Sequence, residues 1–358
     1  MKKLFCIILL SLLVLCVFTA CSGKDGKDGI DGQNGIDGTD GETPTIEISE
    51  DGYWIINGEK TDLKASSDKI DHENPQGLQF FMQDDGTYLV SCGDAKYLSN
   101  IVIPTTYKGG AVVGIVNDAF YANQNLTSIT IPDTVTKIGA RAFSNCPNLT
   151  SVMIGDGVTS IGEEAFYTCS NLTSVVIGDS VTNIGECAFA YCTSLTSVNI
   201  PNSVKSIGED AFYFCTSLTG VYISNLAAWC NIFFETLYSN PLNHSKNLYL
   251  NGELVTDLVV PDGVTSIGQC AFFSCTSIET VVIPDSVTAV GDAAFSGCDN
   301  LKSAVISTGV TSIGKYAFAT ISDVYYTGSE EEWNVIEFDP NVSAFVNPTI
   351  HYNYVPEA

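Results

Sequence analysis

Positive charge and histidine are scarce in this chain, and each shortage closes off a class of function. Against 41 Asp and Glu stand only 15 Lys and Arg, a formal charge of −26 over 358 residues. Such a polyanion repels nucleic acid and anionic lipid, and it tolerates cations and basic partners. Solubility outside the cell is the plainer reading of the same excess. The three histidines, His72, His244 and His351, are scattered. None sits in an H-E-x-x-H pattern or beside a nucleophile motif. No two cysteines have the C-x-x-C spacing that a zinc site wants. The carboxylates follow turns instead of pairing, and no glycine-rich loop opens a helix as a phosphate cradle would. No catalytic constellation, metal or cofactor is therefore expected, and the chain reads as a non-enzyme. Charged residues make up 16% and apolar residues 45%. That balance provides for a large core and argues against general disorder. Beyond the first twenty residues, no apolar run is long enough to span a bilayer.

What is present begins with an export signal. Met1-Lys2-Lys3 precede about fifteen apolar residues and then small residues, the plan of a secretory leader. The stretch Phe18-Thr19-Ala20-Cys21 resembles a bacterial lipobox, which implies cleavage before Cys21 and diacylation of its thiol. The alternative is an ordinary cleaved leader with Cys21 merely nearby. A cut before Cys16 would put bulky Leu15 at the small position and is rejected. Loss of Lys2 and Lys3 with the leader makes the charge of −26 into −28. Two or three acyl chains would hold the protein at a membrane, because one chain alone binds marginally. After Cys21 come seven Gly-x-y triplets from Gly23, without proline. Glycine at every third residue is the collagen pattern. A triple helix and an acidic flexible spacer of roughly 25 Å both remain open for it. The aspartates there lack the alternation of a calcium loop. Asp51-Gly52 and Asn57-Gly58 then mark hairpin turns around Tyr53 to Ile56, and Asp85-Gly86 marks another.

The rest is a repeat. Phe120, Phe143, Phe166, Phe189 and Phe212 are 23 residues apart, as are Leu126, Leu149, Leu172, Leu195 and Leu218, and Phe272, Phe295 and Phe318 resume the step. The unit reads approximately L-T-S-V-x-I-P-D-S-V-T-S-I-G-x-x-A-F-x-x-C-x-N. Its V-x-I alternates as a strand, which places Leu172, Val175 and Ile177 inward and Ser174 and Val176 outward. Prolines 132, 201, 261 and 284 stop the strand. Aspartates 133, 156, 179, 262 and 285 are expected to accept local backbone N–H groups at the turn that follows. The glycine of I-G is expected to supply a backbone shape that other residues resist. A-F-x-x-C is expected to form one short helical turn. No unit can bury its apolar side alone, so stacking units builds a continuous core. Cysteines 146, 169, 192, 215, 275 and 298 share one repeat position and read as buried fillers. Cys92, Cys187, Cys230 and Cys270 lie outside that column and are the thiols more open to oxidation. Asn125, Asn148 and Asn171, although in N-L-T sequons, read as rung-to-rung backbone partners.

These units resemble leucine-rich repeats of the BspA-like type, also described from treponemal surface proteins. The resemblance covers about residues 98–321. It implies a leucine-rich repeat solenoid, a strand ladder with short turns in 23-residue units, on a surface or secreted protein of a host-associated microbe. It also implies adhesion to a host or microbial surface protein or glycan. A structural surface coat without specific ligand is the alternative.

The expected organisation is a lipoprotein signal (1–20), the lipidated cysteine and collagen-like spacer (21–44) and a β-hairpin segment (45–73). The N-terminal cap and first repeat block follow (74–223), then an insertion (224–247), a second block (248–321) and a C-terminal cap (322–358). The insertion has a twin, because Val221 to Ile232 resembles Val324 to Ile336, and both read as cap-like units. The expected location is the cell envelope, lipid-anchored and surface-exposed. The expected binding face is the outward row of the strand ladder: Thr130, Met153, Val176, Asn199, Tyr222, Val282 and Val305. That stripe, interleaved with Ser128, Ser151, Ser174 and Ser197, reads as almost uncharged and about 40 Å long.

Overall fold

The computed structural model describes residues 46–48, 53–56, 59–64, 74, 76–318, 321–338, 344–345 and 347–356. The leader, Cys21 and the Gly-x-y spacer lie outside the described residues. The chain divides into two units, 1–69 and 70–358. The first holds a three-stranded antiparallel sheet, Ile46–Ile48, Tyr53–Ile56 and Glu59–Lys64.

The second unit is a solenoid. Its L-T-S-V-x-I segments pair parallel and in register. Ser128, Ile129 and Thr130 lie opposite Ser151, Val152 and Met153, and these lie opposite Ser174, Val175 and Val176. The V-T-S-I segments make a second parallel ladder from Lys137–Ile138 through Ser160–Ile161 and Asn183–Ile184 to Ser206–Ile207. In-register parallel pairing sets each repeat position above its own copy. The core is consequently made of columns. Leu172, Val175 and Ile177 are buried, whereas Val176 is 56% exposed.

One column is a pile of phenyl rings. Phe120, Phe143, Phe166, Phe189 and Phe212 stack with centroids 5.0, 5.1, 5.1 and 5.4 Å apart. Phe272, Phe295, Phe318 and Phe345 repeat this at 5.1, 5.0 and 5.1 Å. The cysteine column does more than fill space. The Cys146, Cys169, Cys192 and Cys215 thiols donate to the carbonyls of Phe120, Phe143, Phe166 and Phe189 at 3.1–3.3 Å. No disulfide joins any two of the ten cysteines from Cys92 to Cys298 among the described residues.

Three local expectations are corrected. The A-F-x-x-C piece is no helix: it is a run of overlapping turns, closed by Ala142 N–H to Gly139 C=O and Ser144 N–H to Arg141 C=O. Within it Arg141 and Asn145 take φ of +54° and +59°. Those left-handed residues break helical continuity and aim alternate N–H groups at the next rung, as in Phe143 N–H to Ala165 C=O at 2.7 Å. The I-G glycines show no left-handed φ. They are needed for space, since a Cβ on Gly185 would lie 2.7 Å from Glu163 N and Gly162 C on the rung before. The turn aspartates accept from the next rung and not locally. Asp133 Oδ1 takes the Asp156 N–H at 2.8 Å, and Asp156 Oδ1 takes the Asp179 N–H at 3.1 Å.

The ends and the insertion close the array. The hairpin of Gln79–Met82 and Tyr88–Ser91 continues the second ladder, with Phe80 stacked 4.0 Å from Tyr107. The insertion supplies helix α1 (Leu226–Cys230), capped by Asn225, and helix α2 (Leu242–Ser245). Its counterpart near the C-terminus is helix α3 (Glu330–Trp333), with Ser329 and Glu332 forming a capping box. Strand pairing carries across the insertion from Gly220–Ile223 to Leu248–Leu250 but stops before Asp257–Val259, and side chains take over at that junction. Buried Trp229 donates Nε1–H to Ala271 C=O at 2.8 Å, and buried Asn240 donates to Cys270 and Ala271 carbonyls at 2.7 and 3.0 Å. The apolar core runs through this junction without a break.

Candidate functional site

The strand face is built by threonine and serine on one side and core aliphatics on the other. Thr150 and Thr173 each donate Oγ1–H to the threonine carbonyl of the rung before at 3.0 Å, and Thr219 does so at 3.1 Å. These bonds hold the start of each strand, so the following outward residues fall into rows.

The sequence-derived candidates form three rows and not one. Thr130, Met153 and Val176 are neighbours on one sheet. Asn199 and Tyr222 pair on a second, and Val282 with Val305 on a third. The first break lies between Val176 and Asn199. There the Thr196 N–H to Thr173 C=O bond stretches to 3.5 Å, against 3.0 and 2.9 Å at the rungs on either side. The second lies after the insertion, between Leu248–Leu250 and Asp257–Val259. Met153 (41%), Val176 (56%) and Tyr222 (37%) are exposed, as is Asn199, whereas Thr130, Val282 and Val305 are half-buried.

Register adds members that spacing did not reveal. Val102 extends the first row beside Thr130. Tyr249 extends the second, its ring 4.6 Å from that of Tyr222 with planes 11° apart. Val259, Tyr325 and His351 extend the third, with Tyr325 and His351 rings 4.6 Å apart. Tyr249 and His351 lie outside the 23-residue step; the alternation of L-Y-L and T-I-H is their only sequence signal.

The face is uncharged only in its first block. Along the second, Glu279 pairs with Lys302, and Asp323 bonds His351 Nε2 at 2.9 Å. The His351 ring and the Ser322 hydroxyl hold the Asp323 carboxyl below its ordinary range. Where the ladder breaks after the insertion, an open groove of about 360 Å³ is lined by Leu226, Leu250, Leu254 and Val259, with Glu253 and Asp257 at its rim.

Burial raises the pKa of most of the thiols, whereas the neighbouring Cys169 thiol lowers that of Cys146. Burial pushes Cys215 and Cys230 up to about 12, and Cys270 and Cys275 up to about 11. Cys230 and Cys270, expected among the more accessible thiols, are buried, whereas Cys92 and Cys187 are half-buried. Asn125, Asn148 and Asn171 donate to the carbonyls of Lys96, Gln124 and Pro147 on neighbouring rungs, as their spacing implied. Among the described residues no three His, Cys, Asp or Glu side chains gather as a metal site. Among them, too, no helix is long and apolar enough to cross a membrane.

Comparison with known proteins places these features. No curated protein matches this sequence. A leucine-rich repeat protein of T. pallidum is 26% identical over 63% of this chain and 88% of its own, with a TM-score of 0.42. A leucine rich cell surface protein of Faecalibacterium prausnitzii is 26% identical over 74% and 97%, with a TM-score of 0.37. The pneumococcal vaccine antigen PcpA is 17% identical over 87% and 99%, with a TM-score of 0.34. The family model for the BspA type leucine rich repeat region matches residues 113–239 and 244–349 in six copies, and the chain belongs to that family.

Proposed function

We propose that the chain is a bacterial surface protein whose solenoid binds a macromolecule, a protein or a glycan, on the outward face of its strand ladder. The observation that carries this reading is the exposure of Met153, Val176, Tyr222 and Val259 in rows beside hydroxyl groups. Side chains with this much apolar surface are more than a solvated sheet needs, and the groove beside Leu254 gives one partner side chain a place to anchor. Export and anchoring through Cys21 would present that face outside the cell.

The test is a binding panel of matrix proteins and glycans against the full chain, with Met153→Ser, Val176→Ser and Tyr222→Ser variants beside it. The expected result is at least one ligand whose affinity falls about tenfold or more on losing such anchors. A ligand bound equally by wild type and variants would remove the strand face from the proposal. A second reading, a coat protein without ligand, is favoured by one observation: hydroxyls of Thr150, Thr173 and Thr219 are spent on rung-to-rung bonds. Absence of any ligand across the panel supports it.

A further inference from the structure

Away from the strand face, the turn run carries rings that the core does not use. Tyr167 meets Tyr191 at 5.5 Å, and Tyr191 stacks on Phe214 at 5.2 Å with planes 21° apart. Phe214 meets Tyr213 at 4.8 Å, and Tyr213 meets Tyr238 of the insertion at 5.2 Å. Five rings thus touch in sequence across three rungs and the segment after them. Phe214 is 43% and Tyr238 47% exposed.

The repeat does not require rings here. The position after the core phenylalanine is Ser144, Ala190 or Ser296 on other rungs, and the next is Asn145, Thr168 or Gly297. Tyr191 and Phe214 moreover occupy left-handed backbone, φ +61° and +58°. That conformation suits Gly297 and Asn145 and disfavours a bulky residue. The rings are also held firmly. Phe214 N–H donates to His244 Nε2 at 3.1 Å, and burial, followed by Lys246, lowers the His244 pKa and keeps that nitrogen free to accept.

Carboxylic acids stand in the same turn run. The turn ending at Tyr167 begins at Glu164, its N–H to C=O bond 3.0 Å, and the turn ending at Tyr213 begins at Asp210, with 2.9 Å. Glu163, Glu186, Glu209 and Glu235 stand near one another along the array. None of these acids lies within 4.0 Å of a lysine or arginine among the described residues. Partial burial, then Glu163, Glu209 and Glu235, raises the Glu186 carboxyl above its ordinary range. One rung earlier in the Glu164 column stands Arg141. Its guanidinium spans to Asp118 on the rung before, Nε to Oδ1 at 2.8 Å and Nη2 to Oδ2 at 2.9 Å. The column thus already holds one guanidinium, that of the chain's own Arg141.

We infer that this ring row and the carboxylates of its turn run form a second docking surface, which takes an arginine-bearing cationic segment of another protein. Tyrosine and phenylalanine faces accept guanidinium planes, and the carboxylates supply the opposite charge. A second copy of this chain is disfavoured, because each copy would bring its own carboxylates against the other's.

The test titrates the full chain with fluorescein-labelled octa-arginine and octalysine at low salt. Octa-arginine is expected to bind more tightly than octalysine, which lacks the planar stacking group. Asparagine tolerates left-handed backbone, so the Tyr191→Asn, Phe214→Asn double variant keeps the fold, checked by an unchanged or raised melting temperature. It is expected to weaken octa-arginine about tenfold. Glu186→Gln with Glu209→Gln is expected to weaken it comparably. Asp156→Asn with Asp179→Asn removes equal charge from the aspartate column and is expected to change affinity less than about twofold. Equal loss in the aspartate control, or none in the ring variant, would reduce the effect to bulk charge and overturn the inference. So would competition by a neutral cello-oligosaccharide, or self-association of the chain that disappears on Phe214→Asn.

Discussion

Gly185→Ala is the sharpest probe of how the rungs meet. Gly185 donates its N–H to Ile161 C=O at 2.9 Å, and its added Cβ would lie 2.7 Å from Glu163 N and Gly162 C. Both obstacles are backbone, so no side-chain rotation relieves them. Reaching ordinary carbon contact of about 3.5 Å requires the rungs to part locally by about 0.8 Å. The Gly185 hydrogen bond would then stretch to about 3.7 Å, beyond any useful geometry. Overpacking costs about 1–3 kcal/mol and the lost bond about 1 kcal/mol, which gives about 2–4 kcal/mol together. Denaturant unfolding, followed by far-ultraviolet circular dichroism, measures it. Gly263→Ala is the contrast: its φ is +88° and nothing lies within 4 Å of the new Cβ. There the cost is conformational, about 1–2 kcal/mol, and Gly263→Asn should recover most of it. Gly185→Asn should recover nothing. A Gly185→Ala loss below about 0.5 kcal/mol, or rescue by asparagine, would refute the close-approach argument.

Other expectations concern the thiols, the junction and the anchor. The buried Cys215, Cys230, Cys270 and Cys275 have folded pKa values raised to about 11–12. For a raised pKa, stability is complete below the unfolded value and falls as pH climbs toward the folded one. Unfolding midpoints should therefore hold up to about pH 9 and fall above it, and iodoacetamide should label these four only after denaturation. Asn240→Ala removes one donor from each of the Cys270 and Ala271 carbonyls, which keep Phe273 N–H and Trp229 Nε1–H, at about 1–2 kcal/mol, and should separate the melting of the two blocks. Labelling with palmitate in the native host should require Cys21, and an unlabelled protein would remove the lipid-anchor proposal.

The repeat physics was largely legible beforehand because a 23-residue step repeats one packing solution. Once Phe166, Cys169 and Leu172 are equivalent to their copies, only stacking buries all of them. Backbone detail was less legible. Arg141 shows no local sign of left-handed conformation, because the turn run takes that shape to bond the next rung and not by residue preference. The I-G glycine carries no local sign of its real constraint: its neighbour in space is 22 or 23 residues away, beyond any local rule. Phe345 was missed because it follows Phe318 by 27 residues, although its ring stacks at 5.1 Å like the others. On the strand face, Met153 and Tyr222 point outward as alternation implied. The division of that face into three rows depends on where rungs diverge, which no single unit encodes.

A double-mutant cycle on the ring stack bears most directly on the stacked-rung account. Phe189 lies between Phe166 at 5.1 Å and Phe212 at 5.4 Å, so Phe189→Ala should cost about 3–5 kcal/mol in denaturant unfolding. Coupling between Phe166→Ala and Phe189→Ala should be about 0.5–1.5 kcal/mol, and coupling of Phe189→Ala with Phe295→Ala in the second block should be near zero. A Phe189→Ala loss below about 1 kcal/mol, or equal coupling to both partners, would contradict it.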